Sequence, residues 1–210
     1  MEGQDMNFLQ SQSIVIGQNN KFKTKGERFD FLRKKLIYLD ERDREFVAKV
    51  LIRYPEFLTS PASVKYHGNH EGGLFEHSLN VYFTAISIAD DYGIKPTDVN
   101  VVACLFHDLC KVGKYTTEIV NEGDMNSERI CYNRDYVGIE HGAESLRRLL
   151  TIDKAVEIIP TAWQFAIAYH MGVFGVSDTE MKNFSSMSEK YPQILLLHHA
   201  DMISTKIHKL

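Results

Sequence analysis

At 210 residues, with 25% charged and 44% hydrophobic, the chain carries enough apolar material for one well-packed domain. Its formal net charge of -4 argues against a general nucleic-acid binder, whose phosphate contacts need a basic surface, but leaves room for a small phosphorylated substrate held by a metal. The three cysteines (Cys104, Cys110, Cys131) form no CxxC pair, no apolar run approaches the roughly 18 residues of a membrane span, and the N-terminus lacks a signal pattern, so the expectation is a cytoplasmic protein with no membrane contact.

Residues 1–26 are polar apart from Ile14-Val15-Ile16 and are expected to form a flexible arm, or one short strand, ahead of a single domain over 27–210. Phe29, Leu32, Leu36 and Leu39 make a first helical stripe. Phe46, Val47, Val50 and Leu51 make a second, which Pro55 ends. Residues 61–69 are expected to be loop. Gly72-Gly73 opens a helix over 74–91 that Gly93 stops. Pro96 is placed as the first-turn proline of a helix over 97–110, closed by Gly113. From Tyr115 to Asn133 the pattern turns to β, with a turn at 121–124, which predicts a hairpin. Helices resume at 141–150, 161–170 and 191–208. The expected fold is all-α: a helical bundle with one small β-hairpin insertion.

His107-Asp108 follows the apolar run Val101–Phe106. Two adjacent polar groups in a buried segment are costly unless paired or bound to a cation. Further candidates recur at about one per predicted helix: His77, His141, His170 and Asp201. Ligands on several packed helices can converge on one point. Imidazoles and carboxylates without a thiolate spacing suit Fe, Mn, Zn, Co or Ni, with Mg also open. These groups exceed what one catalytic ion takes. They suffice for two ions sharing a bridging carboxylate, Asp108, clamping a phosphoryl group and activating water. The expected metal ligands are therefore His77, His107, Asp108, His141, His170 and Asp201, with one or two divalent ions. Lys111, three residues after Asp108, is expected on the same helix face as a catalytic or phosphate-holding ammonium. Lys114 could assist it. His67 and His70 sit in a Gly/Asn-containing loop, where a solvated role and a substrate contact both stand; His70 is carried as a substrate-binding candidate. His198, one turn before Asp201, is a candidate to orient that carboxylate. Arg147-Arg148 reads as a solvated helix end.

The order His77, His107-Asp108, Asp201 resembles the signature of the HD superfamily of metal-dependent phosphohydrolases. The segments HGNHEGGLFEHSLNV (67–81), CLFHDLCKVGKY (104–115), HGAES (141–145), AYHMG (168–172) and LLHHADMIS (196–204) resemble the successive blocks of small bacterial HD-domain hydrolases, and the HD domain of a 3′-to-5′ exoribonuclease family. The resemblance spans residues 54–208. It implies a helical bundle that holds a divalent metal and hydrolyses phosphomonoesters or phosphodiesters. It also implies that His77, His107, Asp108 and Asp201 ligate the first metal and that His141 and His170 belong to a two-metal subgroup. The chain shows no OB-type nucleic-acid-binding domain before residue 54 and no Gly-Tyr-Pro block of the cyclic-di-GMP phosphodiesterases.

The leading expectation is a metal-dependent phosphohydrolase acting on a nucleotide or other small phosphate ester, with the hairpin as a lid or substrate wall. Three rivals stand beside it. One is a nuclease on short single strands, drawing on Lys21, Lys23, Lys25, Arg28, Arg33, Lys34 and Lys35. The others are a metal-retaining, non-catalytic ligand-binding module and a di-iron oxygenase of the HD fold.

Overall fold

A computed structural model of the protein describes residues 22–37, 39–122, 125–173 and 178–207. The Ile14-Val15-Ile16 segment lies outside the described residues, as does the centre of the hairpin turn.

Helix α1 (Lys25–Leu36) starts four residues earlier than the apolar stripe suggests, because Thr24 caps it by accepting from the Glu27 N–H. Asp40 caps α2 (Glu41–Arg53) in the same way. Phe46, Val47, Val50 and Leu51 form its buried face. A 3-10 turn over Pro55–Leu58 follows. Helix α3 (Gly73–Ile88) buries most of its length. It gives way to a 3-10 turn over Ala89–Tyr92, stopped by left-handed Gly93, three residues before the expected helix end.

The single helix expected over 97–110 is three pieces. Pro96 opens a 3-10 turn, Pro96–Asp98. Asn100 then caps a new helix, α4 (Val101–Phe106), through the Ala103 N–H. Beyond His107 the backbone leaves helical geometry at Asp108 (φ -106°, ψ 22°) and re-enters as a 3-10 turn, Leu109–Lys111. A competing side-chain cap and the break at Asp108 override the continuous apolar pattern.

Strands β1 (Tyr115–Glu122) and β2 (Met125–Tyr132) pair antiparallel, with Tyr115 opposite Tyr132 and Thr117 opposite Ile130. Then come α5 (His141–Leu150), the short α6 (Ala155–Ile158), α7 (Thr161–Tyr169), α8 (Asp178–Lys190) and α9 (Gln193–Lys206). Helices α6 and α8 are additions to the expected set. In α8 few apolar residues give a stripe, yet Phe184 and Met187 pack on the core, Phe184 against Tyr169 and His198. Helix α9 packs on α3 and α7, α7 on α5, and α4 on α3. The α5–α7 crossing is close: a Cβ on Gly142 would lie 2.4 Å from the Ala168 carbonyl oxygen. No helix among the described residues is long and apolar enough to cross a membrane.

Candidate metal centre

The ends and middles of α3, α4, α5, α7 and α9 meet at one point, and each brings a ligand-type side chain. His77 comes from the first turns of α3, His107 and Asp108 from the end of α4, His141 from the start of α5, His170 from just past α7, and Asp201 from the middle of α9. His77, His107, Asp108 and His170 are all 0–1% exposed.

Asp108 lies at the middle. Its Oδ2 is 3.5 Å from His77 Nε2, 3.4 Å from His107 Nε2 and 2.6 Å from Lys111 Nζ. Its Oδ1 is 2.5 Å from His141 Nε2 and 3.4 Å from His170 Nε2. Asp201 Oδ1 lies 3.1 Å from His77 Nε2 and 4.0 Å from His107 Nε2. One carboxylate thus separates a His77–His107–Asp201 group from a His141–His170 group.

The orientation of the imidazoles follows from their own helices. Nδ1–H of His107 donates to the Cys104 carbonyl at 2.8 Å, and Nδ1–H of His170 to the Ile167 carbonyl at 2.7 Å. A carbonyl only accepts, so the proton sits on Nδ1 and a neutral ring points its Nε2 lone pair into the centre. The Nε2 atoms of His77, His107 and His170 are buried and make no hydrogen bond, although carboxylate oxygens are near. Buried lone pairs converging without donors are costly. A cation between them relieves that cost, so the donor set fits a divalent ion. His77, His107 and Asp201 place one ligand atom each within 4.8 Å of one another, as do His107, Asp108 and His170.

The charges are mutually supporting. Burial alone raises the Asp108 carboxyl, but the Lys111 ammonium, then His107 and His141, hold it well below the usual carboxylate range. Burial likewise opposes a charged Asp201, and His77 and His107 outweigh it. Lys111 keeps its proton against burial because Asp108 and Asp201 face it. Its approach to Asp108 does not need the expected α-helical face: in the 3-10 turn, side chains three apart eclipse.

The turn carrying Asp108 and Lys111 is bolted to α5. Ser145 Oγ accepts the Cys110 N–H at 3.0 Å. Arg148 donates to the Leu109 and Val112 carbonyls and to buried Glu144. The Tyr136 hydroxyl donates to the Cys110 carbonyl. Arg148 is therefore a half-buried clamp and not the solvated helix end the sequence suggests, while Arg147 is exposed. Cys110 lies within ligand reach of Asp108 and His141, but burial pushes its thiol up to about 12.

Other candidates fall around the centre. His70 Nε2 is 3.1 Å from buried Glu76, the residue before His77. Lys114 is half-buried and has no ion-pair partner among the described residues. The Nδ1–H of His198 donates to the His170 carbonyl at 2.6 Å, and Thr205 donates to Asp201. Arg28, grouped with the basic residues of the N-terminal region, is buried and donates to the Leu58 and Glu71 carbonyls. His67 is closer to the ligands than the sequence indicated. Its ring lies 4.6 Å from that of His77, tilted by 45°, and both its nitrogens are buried without a hydrogen-bond partner. Burial, then the neighbouring His77, lower its pKa to about 3. Only its membership in the first conserved-looking block, ten residues before His77, hinted at this place.

The sequence pattern of the HD domain family matches residues 74–183. A curated protein of Methanocaldococcus jannaschii, dihydroneopterin 2′,3′-cyclic phosphate phosphodiesterase, is 25% identical over 154 residues, which cover 71% of this chain and 53% of that protein. The chain therefore spans about half the length of that relative. No solved structure matches significantly. With the match covering half of its length and the geometry just described, the chain belongs to the HD domain family.

Proposed function

We propose that the protein is a metal-dependent phosphohydrolase that cleaves the P–O bond of a small phosphate ester. The observation that carries this is the set of buried, undonated Nε2 atoms of His77, His107 and His170 around Asp108. Family membership and the cyclic-phosphate phosphodiesterase relative support it. That relative makes a small, organic phosphodiester the first substrate class to test.

His77, His107, Asp108 and Asp201 would hold a first ion, and Asp108, His141 and His170 a second. When bound, the ions lower the pKa of water and polarise the phosphoryl oxygens. The residues of the chain supply the rest. Asp108 presents one oxygen to each group of histidines, so it sets the spacing of the two halves. Lys111 holds its proton beside Asp108 Oδ2 and is placed to stabilise charge on a non-bridging oxygen. His67, neutral and beside the His77 ring, is placed to contact the substrate at the edge of the centre. Which metal is used follows from loading; the N and O donors accept several first-row ions.

The test is a panel of phosphomonoesters, linear phosphodiesters and 2′,3′-cyclic phosphates offered to the protein loaded with Mn, Fe, Co, Ni, Zn or Mg. Turnover should appear with at least one metal and fall to background in Asp108→Asn. Turnover unchanged by that substitution overturns the reading.

A further inference from the structure

A cavity of about 300 Å³ opens beside the centre, between the hairpin and the loop over 59–71. One wall is the hairpin, mainly one face of it, with Thr116 at the margin. The register puts Tyr115 and Thr117 of β1 on the same side as Glu128 and Ile130 of β2, and all four line the cavity. The other wall includes His70 and Glu71. That loop is held in place: Gly72 N–H donates to the Thr59 carbonyl, Ala62 N–H to Gly68, and Nε2–H of His70 to Glu76. Both walls are joined to the residues of the centre: the hairpin begins at Tyr115, four residues after Lys111, and the loop carries His67, whose ring lies 4.6 Å from that of His77, and His70, which donates to the neighbour of His77, Glu76.

The lining has a definite character. It includes an aromatic ring and an aliphatic side chain, which suit a flat ring system. It contains two carboxylates and neither Lys nor Arg. The positive charge of this region, Lys111, sits at the centre instead. A second phosphate would be repelled by such a cavity, whereas hydrogen-bond donors would be welcomed. Glu71 is already tied to Arg28 at 3.1 Å. Glu128 is exposed and has no ionic or hydrogen-bonded partner among the described residues, so its two oxygens remain free to accept. The volume is at the low end for ligand pockets, enough for a ring system but not for a whole dinucleotide.

We propose that this cavity is the subsite for the organic part of the substrate, and that it takes a planar heterocycle presenting a ring N–H beside an exocyclic amino group, with Glu128 accepting from that edge. Guanine and pterins share this edge; uracil and hypoxanthine lack the amino group. The proposal rests on the phosphohydrolase reading only for placing the ester at the centre. Its recognition step needs no metal.

The experiment uses isothermal titration of metal-free full-length protein with guanosine, neopterin, inosine and uridine. Guanosine or neopterin should bind at least tenfold more tightly than inosine and uridine, and the tighter of the two identifies the heterocycle. Glu128→Gln should weaken that binding by about tenfold, the loss expected of a hydrogen bond to a charged acceptor. Thr117→Trp, which fills the cavity from the hairpin, should abolish it. Binding of inosine equal to guanosine, binding indifferent to both substitutions, or no binding of any nucleoside or pterin overturns the assignment. Turnover of the phosphate-ester panel by the metal-loaded wild-type protein is read separately. Turnover without nucleoside discrimination defeats the subsite alone, and its absence defeats the phosphohydrolase reading alone.

Discussion

Lys111 Nζ sits 2.6 Å from Asp108 Oδ2, and both side chains are buried, three residues apart in a 3-10 turn. The ammonium answers the carboxylate at the point where two groups of histidines meet. Lys111→Met removes the positive charge and leaves the carboxylate facing histidines alone. Breaking a buried pair from one side costs about 3 kcal/mol or more. The metal-free variant should unfold at clearly lower denaturant, and its phosphoesterase rate should fall by about a hundredfold. Equilibrium unfolding and steady-state kinetics read the two effects separately. A variant as stable and as active as the parent contradicts the assigned role.

A ligand that binds only the folded state raises the unfolding temperature. Adding a divalent ion to chelator-treated protein should therefore raise Tm in the parent and much less in His77→Ala or Asp201→Ala, whose side chains lie 3.1 Å apart at the centre. His141→Ala should keep part of the rise and lower the bound metal from two ions towards one, counted by elemental analysis. Equal metal content in all four proteins argues against these ligands.

Glu144 is tied to Arg147 and Arg148, and these hydrogen bonds, first that of Arg147, pull its carboxyl down to about 2 against the opposing effect of burial. Its ordinary value is 4.5. The folded value is depressed, so the unfolded chain binds more protons between the two. The contribution is complete above about pH 5 and is lost as pH falls from there towards 2. Glu144→Gln should cost on the order of 2 kcal/mol at neutral pH and flatten the acid limb of the stability curve. Urea unfolding at half-unit steps between pH 2 and 7 checks the slope.

Gly142→Ala adds a Cβ where the Ala168 carbonyl leaves no room. Helices α5 and α7 must separate, and His141 moves with α5, away from Asp108 and His170. About 2 kcal/mol of stability should be lost. Activity should drop by more than stability alone explains, because the second group of ligands opens. Thermal melts and assays well below Tm distinguish the two.

Much of the centre was legible because burying His107-Asp108 at the end of an apolar run has few physical solutions. The spacing of one polar candidate per helix then indicated convergence, and the geometry brings His77, His107, Asp108, His141, His170 and Asp201 together. Other features were less accessible. His67 lies in a loop, as expected, but its place beside the His77 ring is a contact that leaves no local periodicity. Arg148 looked solvated because its partners are carbonyls some 36–39 residues away. The α4 boundaries were misread because Asn100 caps a new start through one side chain and the backbone leaves helical geometry at Asp108, neither of which apolar periodicity records. Helix α8 was overlooked because its apolar residues are too few to mark a stripe.

The hairpin is joined to the bundle at a narrow base, where Asn133 donates from its backbone and its side chain to the Lys114 and Gly113 carbonyls. Among the described residues its strands pair only with each other. Changes of length or side chain along 115–132 can accumulate without disturbing the helices that hold the histidines. An ancestor with this arrangement could diversify towards new esters by drift in one appendage, while the catalytic scaffold stayed under separate selection.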